Sequence, residues 1–227
     1  MTDYHTHILP HMDDGSTSLR ESLQLLRLEK AQGVDTVALT PHFYPWQEAP
    51  RDFLIRREKS LALLEAGLEP GLPQLLPGAE TAFFEGISRS EELAGLRLAG
   101  TNLLLVEMPF GKWSSRELDE LLRLRDRQDI TVVLAHAERY LRFQPKALWP
   151  RLAREGIGLQ ANTDSFTRLR TRRAVRAMVN QGLVTHLGSD CHNLTARRPN
   201  WDSLPGKISE QFASLPHPIR ISDPVSK

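Results

Sequence analysis

The sequence predicts an α/β protein whose strands and helices alternate to build one parallel sheet or barrel. Three observations predict it. Strand-type and helix-type runs alternate along the chain at a spacing of roughly thirty residues per pair. The strand runs are short and mainly apolar, as expected when helices cover both faces of a sheet. Histidines and acids recur at the carboxyl ends of those runs, the side on which parallel barrels carry their sites.

The first strand falls in "DYHTHILPHMDDG", residues 3–15, which holds three histidines and three acids in thirteen positions. His5 and His7 are two apart, so extended backbone turns both imidazoles to one face, where a helix would point them apart. A solvated polar N-terminus has the same composition, and the rest of the chain must decide. "STSLRESLQLLRLEKAQG" predicts a helix: Ser18 and Glu21 have capping-box spacing, Leu19, Leu23 and Leu26 share a face, and Gly33 can end it. The strand "VDTVALT" follows. Then come a helix around 51–67, a short strand near 74–79, the strand "TNLLLVEM" and the helix "SSRELDELLRLRDRQ". The series continues with the strand "DITVVLAHA", a helix near 145–155, the strand "GIGLQAN", the helix "RTRRAVRAMVNQG" and the strand "LVTHLGS". After Trp201 the chain turns proline-rich, which predicts one short helix and a loose tail. No repeat, low-complexity tract or long linker divides the series. Residues 1–227 are therefore expected to form one domain, with the proline-rich tail starting at about 202.

Composition excludes several classes. Lys plus Arg (29) nearly balances Asp plus Glu (28), so bulk charge does not favour nucleic acid or an anionic membrane. The start has no basic or apolar leader region, and no apolar run approaches the ~18 residues of a membrane span. A cytoplasmic protein without stable membrane insertion is expected; nothing in the sequence sets its oligomeric state. Cys191 is the single cysteine, which excludes a disulfide framework and any cysteine-rich zinc site. Metal, if bound, must be held by imidazole and carboxylate.

Those ligand types keep one phase. His5 and His7 sit on the first strand and Asp14 in the loop after it; His42 follows "VALTP" and Glu80 follows "LLPGA". Glu107 ends "NLLLV", His136 follows "TVVLA", and Asp190 with His192 follows "LVTHLGS". In a closed barrel of parallel strands these positions converge on one face. Singly, each is as well explained as a turn, cap or salt-bridge residue. Nine in phase are not.

The motifs "HTHILPHMDDG", "TPHFY", "PGAE", "LLVEMP", "LAHAERY" and "GSDCHN" resemble, in order and spacing, those of PHP-domain (polymerase and histidinol phosphatase) proteins. Within that superfamily the match is to the bacterial capsule-type, metal-dependent protein-tyrosine phosphatases, from about residue 3 to about residue 200. The resemblance implies a distorted (β/α)7 TIM-like barrel, the PHP fold, holding three divalent ions. Manganese is the first choice, with iron, zinc, cobalt or magnesium as alternatives. By motif, His5 and His7 would hold one ion with Glu80 and Asp190. Glu80 and Glu107 would bridge to a second, completed by His136, and Asp14, His42 and His192 would hold the third. Arg139, three after His136, and Arg197, five after His192, match phosphate-binding positions, and the neighbouring Arg198 can substitute for Arg197. The implied reaction is hydrolysis of phosphotyrosine on a protein, the tyrosine-rich tail of a bacterial autokinase of polysaccharide biosynthesis.

The donor types fit that chemistry on their own. Five imidazoles and four carboxylates without a thiolate suit borderline-to-hard divalent ions, and do not choose among them. Four carboxylates against three dications leave a charge of roughly +2, which favours a dianion such as a phosphate monoester. Water on such ions ionises near pH ~7 and supplies hydroxide, while paired metals clamp the phosphoryl oxygens, so no covalent intermediate is needed. Arg139 and Arg197 would steady charge on the equatorial oxygens. The phenolate leaving group, with a pKa near ~10, needs little acid assistance; His42 and His192 are candidates to give it. Phe43, Tyr44 and Trp46 of "PHFYPWQEAPR" either line a slot for the phenyl ring or pack the loop.

Rival readings and single residues complete the inspection. "CHNLTAR" has the C-x5-R spacing of cysteine-dependent tyrosine phosphatases. No glycine intervenes, and "RRPN" stands where a helix should start, so Cys191 reads as a spacer between ligands. The same metal set would serve a small phosphomonoester such as histidinol phosphate. A catalytically silent metal-binding regulatory protein should show gaps among its ligands or arginines, and there are none. His11 stands where the family pattern has a small residue, usually glycine, and is expected to be solvated. Asp13 is expected to support the turn before Gly15, His186 to be a satisfied barrel-interior histidine, and His217 to have no specific role. Asn162 and Asp164 would lie beside the ligands, and a peptide substrate would suit an open, shallow site.

Overall fold

A computed structural model describes residues 1–213 of the chain. In order, the elements are β1 (Thr2–Thr6), α1 (Leu19–Ala31), β2 (Thr36–Leu39), β3 (His42–Phe43), α2 (Pro50–Glu65), β4 (Gln74–Pro77), β5 (Glu80–Ala82) and β6 (Leu103–Glu107). They continue with α3 (Ser115–Arg125), β7 (Thr131–Leu134), α4 (Leu148–Arg154), β8 (Gly158–Asn162), α5 (Arg172–Asn180), β9 (His186–Gly188) and α6 (Gly206–Ala213).

All strand pairings are parallel, in two sheets ordered β1-β2-β4 and β3-β5-β6-β7-β8-β9. β3 continues β2 beyond Thr40–Pro41 and β5 continues β4 beyond Gly78–Ala79, so the pairs Leu39–Pro77 and His42–Glu80 follow one bent ladder. The strands therefore occupy seven positions around a ring. A single parallel bridge, Thr6–Cys191, closes it: His7 N donates to Cys191 O at 2.9 Å and Asp190 N to His5 O at 2.8 Å. The result is a distorted (β/α)7 barrel.

Local chemistry sets the elements. Ser18 Oγ accepts from Glu21 N at 3.2 Å to cap α1, while Glu21 turns its carboxylate to Thr17 N at 2.9 Å, so this box is only half closed. At α3 the reciprocal pair between Ser114 and Glu117 is complete. Strand parity then sorts the barrel. Leu104 and Val106 of β6 join the large core beneath the helices, whereas Leu103 and Leu105 meet Val133 and Ala135 inside the ring. The same parity turns Glu107 inward on β6 and Gln160 and Asn162 inward on β8, whereas on β1 a register shift between Asp3 and Thr6 lets His5 face the ring while Asp3 faces Trp201 and Glu29 of α1.

The expected elements are present, most of them shortened at their ends. The strand near 74–79 is two pieces, because the chain bends at Gly78–Ala79, and β3 was not anticipated from a two-residue run. The short helix expected in the proline-rich segment is α6; the tail, with His217, lies outside the described residues. Among the described residues, no helix is long and apolar enough to cross a membrane.

Candidate metal centre

The nine ligand-type side chains named from the sequence meet at the carboxyl ends of the strands. His5 lies next to the last residue of β1, His42 opens β3, Glu80 opens β5 and Glu107 closes β6; His7, Asp14, His136, Asp190 and His192 occupy the loops that follow strands. His136 (φ +32°) and Asp190 (φ +54°) adopt left-handed backbone, which costs a non-glycine residue about 1–3 kcal/mol. Dedicated bonds hold both: His136 N donates to Gln160 Oε1 at 2.6 Å, and Asp190 N to His5 O. Close packing also demands glycine twice. A Cβ on Gly15 would lie 2.2 Å from His7 O, and one on Gly188 would lie 2.5 Å from His5 Cβ.

The hydrogen-bond pattern fixes what the imidazoles present to each other. His5 Nδ1 lies 3.2 Å from Gln160 Oε1, and His7 Nδ1 lies 2.7 Å from Asp13 Oδ2. Each oxygen is an acceptor, so each Nδ1 carries the proton and each Nε2 points a lone pair inward. Those two Nε2 atoms stand 3.1 Å apart. Glu80 Oε2 is 3.2 and 3.3 Å from them, and Asp190 Oδ1 3.6 and 3.5 Å. Four converging acceptors repel unless a cation lies among them, which is the condition a divalent metal satisfies. A proton is the substitute: burial alone lowers His7, but Asp13 and Glu80 push it well above the usual histidine value.

Further unpartnered atoms point the same way. His192 Nδ1 donates to Asp190 O at 2.9 Å, leaving a buried Nε2 without a hydrogen bond, 3.3 Å from Asp14 Oδ1. Glu80 Oε2 and His42 Nδ1 are buried and also lack a hydrogen bond, although only 2.9 Å apart. Ligand-type atoms gather in three sets, each within 4.8 Å: His5, His7 and Asp190; His7, Asp14, His42 and His192; His42, Glu80 and Glu107. His136 Nε2 adds to the last, 2.8 Å from Glu80 Oε1 and 3.3 Å from Glu107 Oε1. His7 and His42 are each shared between two sets, a grouping the motifs did not imply.

Two guanidinium groups flank the cluster. Arg139 Nη2 donates to Asp190 Oδ2 at 2.5 Å, with Nη1 3.8 Å from Glu107 Oε1. Arg197 Nη2 donates to Asp190 Oδ1 at 3.0 Å and Nη1 to Asp14 Oδ2 at 3.3 Å. Burial works to raise Glu80, yet His5, His136 and His42 outweigh it and hold the carboxyl well below its usual range. Asp190 is held low against burial by His5, His7 and Arg139. Burial lowers His136, but Glu107 and Glu80 push it up to about 9, whereas burial and His7 push His192 down to about 3. Six of the nine side chains are buried, and His42, Glu107 and the 61%-exposed Asp14 form the rim. The site is deeper than the open, shallow one expected.

Other expectations resolve individually. Phe43 is buried against Phe53 and packs the loop. Tyr44 stacks on His42 with centroids 5.0 Å apart, and Trp46, 66% exposed, lies 5.2 Å from Tyr44, so an aromatic ladder runs from His42 to solvent. Cys191 is fully buried with its thiol pushed up by burial and Glu29, the opposite of an activated nucleophile. His11 is exposed, and its φ of +61° is the physical reason glycine suits that position. Asp13 supports the turn through Gly15 N at 2.9 Å, and also accepts from His42 N at 2.9 Å while orienting His7. Asn162 Nδ2 donates to Asp190 Oδ2 at 2.8 Å; Asp164 instead pairs with Arg168. His186 Nδ1 lies 2.8 Å from Thr185 Oγ1, with the ring edge-on to Tyr4. Gln160, which positions both His5 and His136, was missed. Its signal was present: a polar residue two before Asn162 in an otherwise apolar strand shares its inward face.

Barrel and site together define a class: a parallel α/β barrel with an imidazole–carboxylate cluster at the carboxyl ends of its strands. A family model described as capsular polysaccharide synthesis, CpsB/CapC, matches residues 1–214, and the chain belongs to that family. It is 27% identical over 227 residues to tyrosine-protein phosphatase YwqE of Bacillus subtilis (strain 168), covering 96% of this chain and 87% of that relative. It is 28% identical over 210 residues to tyrosine-protein phosphatase CpsB of Streptococcus agalactiae, covering 88% and 86%. The fold matches a chain from the crystal structures of YwqE from Bacillus subtilis and CpsB from Streptococcus pneumoniae, metal-dependent tyrosine phosphatases, with TM-score 0.76, 24% identity and coverage of 94% and 88%. It also matches the phosphotriesterase homology protein of Escherichia coli, solved with phosphate in its active site, at TM-score 0.52 and 14% identity over 93% and 90%. At these identities both structures bear on the fold alone.

Proposed function

We propose that this chain is a metal-dependent phosphomonoesterase that hydrolyses phosphotyrosine on a protein. The observation that carries the reading is the pair of facing lone pairs on His5 and His7, enclosed by Glu80 and Asp190 and flanked by Arg139 and Arg197. The phosphatase names of the relatives favour phosphotyrosine over a small ester such as histidinol phosphate.

His5, His7, Asp14, His42, Glu80, Glu107, His136, Asp190 and His192 are assigned to three divalent ions, manganese by preference. Once bound, the ions supply Lewis acidity toward the phosphoryl oxygens and an ionised water as nucleophile. The protein supplies order and charge. Asp13 and Gln160 fix the tautomers of His7 and His5, so that neither ring needs to turn when metal enters. Asp190 holds one guanidinium fork on each of its oxygens, keeping Arg139 and Arg197 on either side of the cluster, where an entering phosphate dianion meets both. The Tyr44–Trp46 ladder offers aromatic faces to the substrate phenyl ring, and His42 and His192 are the candidates to assist the leaving phenolate. One domain over residues 1–227 acting in the cytoplasm on the tyrosine-rich tail of a bacterial autokinase of capsule biosynthesis completes the reading.

Phosphate release from a phosphotyrosine peptide and from histidinol phosphate, each with added manganese, tests it. Hydrolysis of the peptide with kcat/KM at least about 100-fold higher is expected, a difference near 2.7 kcal/mol in transition-state binding. A reversed preference would assign the site to small esters. No release from either substrate by metal-loaded protein would leave a silent metal-binding protein.

A further inference from the structure

A cleft of about 850 Å3 opens beside the metal centre, and six arginines line it: Arg139, Arg142, Arg168, Arg170, Arg197 and Arg198. Three of them are already engaged. Arg139 and Arg197 lie on Asp190, and Arg168 on Asp164. The other three have no ion-pair partner among the described residues: Arg170 and Arg198 are exposed, and Arg142 stands over the rings of Phe110 and Phe143, at 5.2 and 4.4 Å from their centroids. One phosphoryl group at the metal centre needs Arg139 and Arg197 alone. The lining acids are Glu138, Asp164 and Asp190, and none pairs with these three guanidinium groups, so six arginines against three acids leave the concavity a positive field with nothing in the hydrolysed group to answer it.

We infer that this cleft is a second anion subsite, which binds a phosphate or carboxylate carried by the same polypeptide near the phosphotyrosine being cleaved. The inference rests on the phosphotyrosine reading and specifies its substrate class: peptides with more than one anionic group. Guanidinium forks suit both oxyanions, and phosphate more strongly, because it offers more oxygens and more charge. The cleft's concavity and its continuity with the catalytic side chains favour a peptide over a flat anionic surface. Partly exposed arginines act mainly on capture, so the effect belongs in KM rather than kcat, and it must weaken with salt.

The test uses three phosphotyrosine peptides of one sequence, bearing at varied spacing a second phosphotyrosine, a glutamate or an alanine. They are assayed with manganese-loaded wild-type protein and the R142E/R170E variant. Wild type should prefer the doubly phosphorylated peptide over the alanine peptide by roughly tenfold in kcat/KM, the glutamate peptide falling between them. In the variant that ratio should fall to near one, and in wild type it should shrink as salt rises from about 0.05 to 0.5 M. Equal kcat/KM for all three peptides with wild type would overturn the inference, although phosphotyrosine hydrolysis itself would stand. So would a preference that survives in the variant. Binding to phosphatidylserine vesicles that the variant loses, without any peptide preference, would overturn it in favour of a membrane surface. Absence of phosphate release from every peptide would instead strike the phosphatase reading.

Discussion

At the scale of single residues, the site depends on groups that are not themselves metal ligands. Asp13 accepts from His7 Nδ1 at 2.7 Å and from His42 N at 2.9 Å, so one carboxylate sets the tautomer of one ligand and the backbone position of another. Asp13→Asn keeps the shape but replaces an acceptor oxygen by a donor or turns it away. Manganese affinity should weaken by about 10- to 100-fold, as read by equilibrium dialysis, with little loss of thermal stability. Unchanged affinity would make Asp13 a turn residue only. Trp46 is the outer rung of the ladder on His42 and is two-thirds exposed, so its removal should not unfold the chain. Trp46→Ala should lower kcat/KM for phosphotyrosine by roughly 2- to 10-fold, the value of one aromatic contact, and leave a non-aromatic alkyl phosphate nearly unaffected. Equal losses on both substrates would place Trp46 outside ring recognition.

At the scale of elements, the barrel brings its strands so close at the seam that side-chain size becomes critical. A methyl at Gly188 on β9 would lie 2.5 Å from His5 Cβ on β1 and 2.8 Å from Gln160 Nε2 on β8. Gly188→Ala should cost about 1–3 kcal/mol in overpacking, a fall in Tm of roughly 2–10 °C, and weaken metal binding because His5 must move. A variant with wild-type Tm and metal content would show that the seam yields freely. The same elements explain what was legible in the sequence. Strand–helix alternation and the placement of Glu107, His136 and Asp190 at the carboxyl ends of strands could be read because short apolar runs and the residues that follow them are local properties. The two-residue spacing of Gln160 from Asn162 marks its inward face, but its role is not legible, because its partners His5 and His136 lie 155 and 24 residues away. The break between β4 and β5 was missed for a related reason: ring curvature bends the ladder at Gly78–Ala79, and a run of residues does not record curvature. His11 was seen as an anomaly in the motif, and only its left-handed backbone explains the glycine expected there.

At the scale of the whole molecule, the ring is held shut by one backbone bridge and a buried polar cluster. Asp3 on β1 accepts from Ser189 N at 3.0 Å and from Trp201 Nε1 at 3.2 Å, and Ser189 Oγ donates to Glu29 Oε1 of α1 at 3.2 Å. Burial and the neighbouring Asp3 push the Glu29 carboxyl well above its ordinary 4.5. The folded chain then holds a proton that the unfolded chain releases. Stability from this group is full below 4.5 and declines as pH rises from there through the raised folded value. Glu29→Gln retains the acceptor and removes the titration. Its denaturant midpoint, measured at fixed metal, should fall less than that of wild type between about pH 5 and 8. Parallel declines would remove Glu29 from the seam's pH response.

Seven strand positions arranged this way serve one end, the gathering of nine remote side chains into a basin that repels itself unless cations fill it. Metal content of the purified protein by mass spectrometry, taken alongside phosphotyrosine hydrolysis before and after chelation, examines that statement. About three divalent ions per chain, activity abolished by chelator and restored by manganese, is the predicted result. Protein that binds no divalent ion, or that hydrolyses phosphotyrosine equally well after complete chelation, would contradict it.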